Sequence, residues 1–309
     1  MRTCTPMAFL LLLLLARVGD AADEAQTIRI GYQRYGTLNI LKIHGNLDRR
    51  LSALGVTVSW LLFPAGPQLL EGMNVGSIDV GSTGEAPPIF AQAAGVPLVY
   101  LANEPANPGS EAIIVPKDSP ITSVAQLVGK RLALNKGSNV HYLLLKVLEH
   151  AGVPYDQVAV QFLKPADARS AFEREAVDAW AIWDPFLTAA VVATSARTLA
   201  DGSGLVANRE FYLAHAVWAA GHKDLAAIVL EELQAADDWA VAKPREVAEA
   251  LAPDVGVAAP VLERIVRRQS RGVERITPAV LADQQRIADA FHALGLLPTA
   301  IQVTATTQH

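Results

Sequence analysis

Three short stretches carry the residue types that hold a compact anion: Gln33-Arg34, Ser82-Thr83-Gly84 and Ser138-Asn139-Val140-His141. In the second, Ile78 to Val80 reads as a short buried strand, Gly81 to Gly84 as a tight turn, and Glu85 to Ala94 as a helix. The first turn of a helix leaves backbone N–H donors unpaired and carries partial positive charge, so hydroxyls and N–H groups gathered there suit an anion's oxygens. Lys136 to Asn139 reads as a turn of the same kind before a helix from Val140 to Ala151. Trp183, at the end of another predicted strand, would offer an apolar wall to a ligand's carbon part. The same residues also suit plain structural work: serine, threonine or asparagine as helix caps, His141 as a satisfied helix histidine, Arg34 at the surface, Trp183 in the core.

Other chemistries have no footing. The seven histidines show no metal spacing, and the single cysteine, Cys4, lies at the extreme amino terminus. No P-loop, dinucleotide-binding glycine pattern or nucleophile elbow occurs, so neither a metal nor a cofactor is expected. The 309 residues carry a formal charge of −5, a balance that argues against nucleic acid as the partner. Arg2 followed by the apolar run Ala8 to Ala16 and the small residues around Ala21 reads as a secretory signal peptide over residues 1–21, too short to span a bilayer. Removing it takes away Arg2, Arg17, Asp20 and Cys4, leaving a slightly more acidic mature chain with no thiol.

The elements that must position the candidate residues follow in a regular order. Thr27 to Tyr32 reads as the opening strand, with Gln33-Arg34 at its carboxyl end, and Asn39 to Leu54 as a helix closed by Gly55. Val56 to Phe63 and Val96 to Ala102 continue a strand–helix alternation that predicts a mostly parallel sheet with helices on both faces. The Pro- and Asn-rich stretch Asn103 to Ser110 reads as a crossing into a second lobe of the same grammar, and the chain is expected to cross back near Tyr212 to Ala216. Open α/β sheets bind ligands beyond the carboxyl ends of their strands, so two such lobes face all three anion-holding stretches into one cleft. From Lys223 onward the pattern is helical. These helices read as a cap on the first lobe, with the cluster from Arg267-Arg268 to Arg275 as a solvated face.

Five segments in register resemble the aliphatic-sulfonate periplasmic binding proteins of ABC importers, within the sulfonate, taurine and nitrate type. They are Ile28 to Gln33, Phe63 to Glu71, Gly76 to Gly95, Lys136 to Tyr142, and Ala181 to Phe186, with Gln284 to Phe291 and Leu294 to Pro298 looking like the family's closing helix. The resemblance implies a type II periplasmic-binding-protein fold: two parallel-rich α/β lobes, a hinge and a ligand cleft between them. Lobe 1 is expected to comprise residues 22–108 with 215–309, and lobe 2 residues 109–214. It implies a receptor, not an enzyme, that binds an alkanesulfonate in the periplasm and delivers it to a permease in the inner membrane for sulfur acquisition. A monomer is expected. Taurine, nitrate, another small anion or a heterocycle are the alternative ligands. Enzymes on the same fold, such as desulfinases, depend by the same resemblance on cysteines that the mature chain lacks. The ligand residues implied are Gln33, Ser82, Thr83, Gly84, Glu85, Ser138, Asn139 and His141, with Trp183 and Asp184 near the cleft. Arg34 joins them as the first-lobe cation, at a position where members of the family commonly carry lysine.

Overall fold

The computed structural model describes residues 26–303, and the signal-peptide reading of residues 1–21 lies outside them. Ten strands occur among the described residues. They are β1 (Gln26–Tyr32), β2 (Val56–Leu62), β3 (Val80–Gly84), β4 (Leu98–Asn103), β5 (Glu111–Val115), β6 (Arg131–Leu134), β7 (Ala159–Phe162), β8 (Ala179–Trp183), β9 (Arg197–Asp201) and β10 (Glu210–His215). They form two five-stranded sheets, ordered β2-β1-β3-β10-β4 and β7-β6-β8-β5-β9. Each sheet is parallel apart from one reversed strand, β10 in the first and β5 in the second. Each reversed strand is the one that has just arrived from the other lobe. The two passages, residues 104–110 and 202–209, run side by side: the Glu104 N–H donates to the Glu210 carbonyl at 2.9 Å and the Asn107 N–H to the Ala207 carbonyl at 2.9 Å.

The return passage thus lies earlier than Tyr212 to Ala216. The run Phe211 to Ala214 is apolar enough to end one lobe or begin the other; what places it in the first is pairing with β3 and β4 on both edges.

The helix expected over Asn39 to Leu54 is two helices, Gly36–His44 and Asn46–Ser52. Gly45 between them, at φ 71°, takes the left-handed conformation that ends the first. Helices Lys223–Ala242, Pro244–Val255 and Ala259–Arg268 pack with Gly36–His44 on the first sheet, burying Leu38, Leu41, Val229, Leu233, Val247 and Leu262. Helix Pro278–Ala293 does more than cap the first lobe. Its Phe291 ring stands 4.7 Å from Phe90 of that lobe and 5.2 Å from His141 of the other, within an apolar core shared by both.

The arginine cluster is a solvated face only in part: Arg267, Arg268 and Arg275 are exposed, while Arg271 departs from it. Arg271 is buried and paired with Asp237 at 3.2 Å, and Arg268 reaches across to Asp184 in the second lobe. Arginine spacing alone does not distinguish these from Arg267, which pairs on the surface with Glu263.

Candidate functional site

Between the lobes lies a deep cleft of about 40 Å³, space for a few water molecules at the ~10–15 Å³ each requires. It is walled by Gln33, Tyr35 and Gly84 from the first lobe, Ser138, Asn139 and Trp183 from the second, and Glu104, Asn107 and Asn208 from the passages, with Glu210 at the start of β10.

The first-lobe wall differs from the expected turn. Ser82, Thr83 and Gly84 continue β3, in register with Tyr212, Phe211 and Glu210 of β10, and the helix that follows is only Pro87–Ala93. Strand pairing overrides the turn chemistry of Gly-Ser-Thr-Gly because β10 supplies a backbone partner that no local pattern reveals. Ser82 and Thr83 are buried behind the cleft; the Thr83 hydroxyl donates to the Gly84 carbonyl at 2.9 Å, and the Ser82 carbonyl accepts from Gln33 Nε2 at 3.1 Å. Gly84 is the part of this stretch that reaches the cleft. A Cβ there would come within 2.1 Å of the Asn139 amide, so this close approach of the lobes requires glycine.

The second-lobe wall keeps the expected form. Helix Asn139–His150 begins at the cleft, and Ser138, at its amino end, makes no side-chain cap. Its hydroxyl instead donates back to the Asn135 carbonyl at 2.6 Å, which leaves the helix start open to a ligand. Asn139 joins three parts of the molecule: Oδ1 accepts from the Ala86 N–H at 3.1 Å, and Nδ2 donates to Asn208 Oδ1 at 2.6 Å. His141 is fully buried and lies behind the cleft. Its Nδ1 accepts the Gly137 N–H at 3.2 Å and its Nε2 faces the Tyr155 hydroxyl at 2.9 Å. Burial, helped by the Lys136 charge, lowers its pKa to about 4, so the ring is a neutral prop for the turn.

The remaining candidates lie elsewhere. Glu85 is buried against the return passage, accepting from the Arg209 N–H at 3.1 Å; burial raises its carboxyl to about 7, against the pull of the Arg209 and Asn208 N–H groups. Asp184 is buried and engaged: Thr188 donates to its Oδ1 from N at 3.1 Å and from Oγ1 at 2.6 Å, and Arg268 donates to its Oδ2. It belongs to a clasp between the lobes. Arg34 faces a wider outer chamber of about 540 Å³. Phe63, Trp183, Phe186 and Val257 wall this chamber, with Arg34, Lys164, Asp167 and Arg169 as its charged groups.

Sequence reasoning missed the acids. Glu104 directly follows β4, while Glu111 and Glu210 are the first residues of β5 and β10; all three are buried. Burial raises the Glu210 carboxyl to about 7 against the pull of the Tyr35 and Ser82 hydroxyls, and drives that of Glu111 well above the usual carboxylate range. The available signal was an acid at the strand end beside each passage, where an apolar residue is the ordinary choice.

Two α/β lobes joined by paired passages, with a polar cleft between them, define the solute-binding class with the periplasmic-binding-protein fold. The chain belongs to the NMT1/THI5-like family, whose model matches residues 55–247. A protein of Escherichia coli (strain K12) named for aliphatic sulfonate binding is 40% identical over 307 residues, covering 98% of this chain and 95% of that one. The alkanesulfonate-binding protein SsuA from Xanthomonas axonopodis pv. citri, bound to MOPS, superposes with a TM-score of 0.88 at 40% identity, over 93% of this chain and 99% of its own. The periplasmic aliphatic sulphonate binding protein SsuA from Escherichia coli superposes with a TM-score of 0.82 at 40% identity, over 91% and 97%. All three relatives are named as binding proteins.

Proposed function

We propose that the chain is an exported receptor that binds an organosulfonate and hands it to an ABC importer. The observation that carries the reading is the open start of the twelve-residue helix Asn139–His150, set against Gly84 of the facing lobe. Helix-start and backbone donors hold a compact oxyanion without a buried counter-charge, which matches a deep cleft lined, among the described residues, by no lysine or arginine. Gln33, Gly84, Ser138 and Asn139 surround the sulfonate head, and Trp183 leads the organic part outward to the chamber past Arg34. The likeness to two sulfonate-binding proteins at 40% identity supports this ligand class, and MOPS in the Xanthomonas structure is a sulfonate with a ring-bearing tail. Closure occurs about residues 104–110 and 202–209, and ligand release feeds the permease. Residues 1–21 direct the chain to the periplasm, where it acts as a monomer.

A thermal-shift panel on the mature chain tests the reading, since a ligand bound only by the native state raises the melting temperature. Alkanesulfonates should raise it by several degrees and nitrate should not; a panel in which nitrate stabilises and sulfonates do not would overturn the assignment.

A further inference from the structure

The floor of the deep cleft carries charge of the wrong sign for an anion. Among the described residues, the lining groups that bear a formal charge when ionised are Glu104 and Glu210, 3% and 5% exposed. Glu210 stands in register with Gly84. Its Oε2 accepts from the Tyr35 hydroxyl, while Oε1 has no partner although the side chain lines the cleft. Glu104 faces the same space from the first passage and accepts from the Tyr212 hydroxyl. The other ionisable groups around this floor are Tyr35 from the loop after β1, Glu111 on β5, and Asp237 on helix Lys223–Ala242. The cation buried nearby, Arg271, is committed to Asp237 at 3.2 Å.

An anion entering beside two ionised carboxylates would put three like charges in a space with little water, an arrangement that proton uptake relieves. We propose that Glu210 is a ligand-contacting residue, neutral when the cleft is filled, whose Oε1–H donates a hydrogen bond to a sulfonate oxygen. The proposal rests on the sulfonate reading above. Burial already raises this carboxyl to about 7, and a sulfonate alongside raises it further, so binding takes up a proton. The sign follows: affinity is level below the free-state value near 7 and weakens as pH rises through it, by up to about tenfold per unit, until the higher bound-state value is passed.

Calorimetry with pentanesulfonate tests this, in Tris and in bicine, which carry no sulfonate of their own. The dissociation constant should rise about tenfold between pH 6 and pH 8, and the difference in heat between the two buffers at pH 8 should correspond to nearly one proton taken up per ligand. Glu210→Gln should flatten the profile. Tyr35→Phe withdraws a hydroxyl that favours the ionised carboxyl, so it should move the fall in affinity to higher pH, a second readout should the first variant fold poorly. A flat wild-type profile with equal heats in both buffers overturns the proposal, as does Glu210→Gln keeping the wild-type slope. So does taurine binding more tightly than ethanesulfonate with that preference lost in Glu210→Gln, because Glu210 would then be ionised against an ammonium group. If pentanesulfonate gives no heat at any pH, the sulfonate reading falls and takes this with it; heat without pH dependence sinks only the role of Glu210.

Discussion

The deep cleft and the outer chamber are built on opposite principles. In the cleft, strand register, a helix start and the two passages fix polar groups in about 40 Å³, and the charged residues are acids. The chamber beyond encloses about 540 Å³ between aromatic and aliphatic walls, with Arg34 and Lys164 on opposite lobes and Arg169 held by Glu173 at 2.7 Å. Trp183 belongs to both. Fixed donors in a small space discriminate by geometry, whereas a wide apolar space rewards whatever surface it covers. Under the proposed function, the head of the ligand would be selected and the tail tolerated.

Four substitutions probe that contrast, in falling order of effect. Gly84→Ala sets a methyl group against the Asn139 amide and props the cleft open; overpacking of this kind costs about 3 kcal/mol, roughly a hundredfold in dissociation constant for every sulfonate whatever its tail. Calorimetry in which the variant binds like wild type would show that the lobes need not approach so closely. Arg268→Ala touches neither chamber but unclasps Asp184; a hydrogen-bonded buried charge loses about 2 kcal/mol, so affinity should fall roughly thirtyfold and the ligand-saturated radius of gyration by small-angle scattering should exceed that of wild type. An unchanged profile would assign closure to the cleft alone. Trp183→Ala should separate the two regions: about 1.5 kcal/mol, or tenfold, lost for hexanesulfonate and much less for methanesulfonate, measured by competition. Equal losses for both would make Trp183 part of the head site. Arg34→Gln should change affinity by less than about threefold, as expected of an exposed charge, and a larger loss would give the chamber a head-binding role.

Much of the architecture was legible along the chain. The strand–helix alternation, the first crossing at Asn103 to Ser110, and the helices Ala259–Arg268 and Pro278–Ala293 follow from hydrophobic period and turn residues, which act over a few neighbours. The helix start at Asn139 was visible for the same reason. Ser82-Thr83-Gly84 was misread because its turn-forming composition is local, while the strand that claims it, β10, lies far along the chain. Glu210 carries only the local mark of an acid at a strand start, and that mark does not say which space the side chain lines.

By itself the sequence determined the two-lobed plan and pointed to the carboxyl ends of the strands as the place for helix-start donors. Those depend on periodicity and on backbone donors that any helix start possesses. Only the tertiary structure decided which residues touch the cleft. It turned His141 and Thr83 inward, drew Arg268 across to Asp184 and Arg271 onto Asp237, and brought Glu104 and Glu210 together at the hinge. The physical reason is that burial and pairing with distant segments fix a side chain's charge and direction, and neither is encoded in the residues beside it.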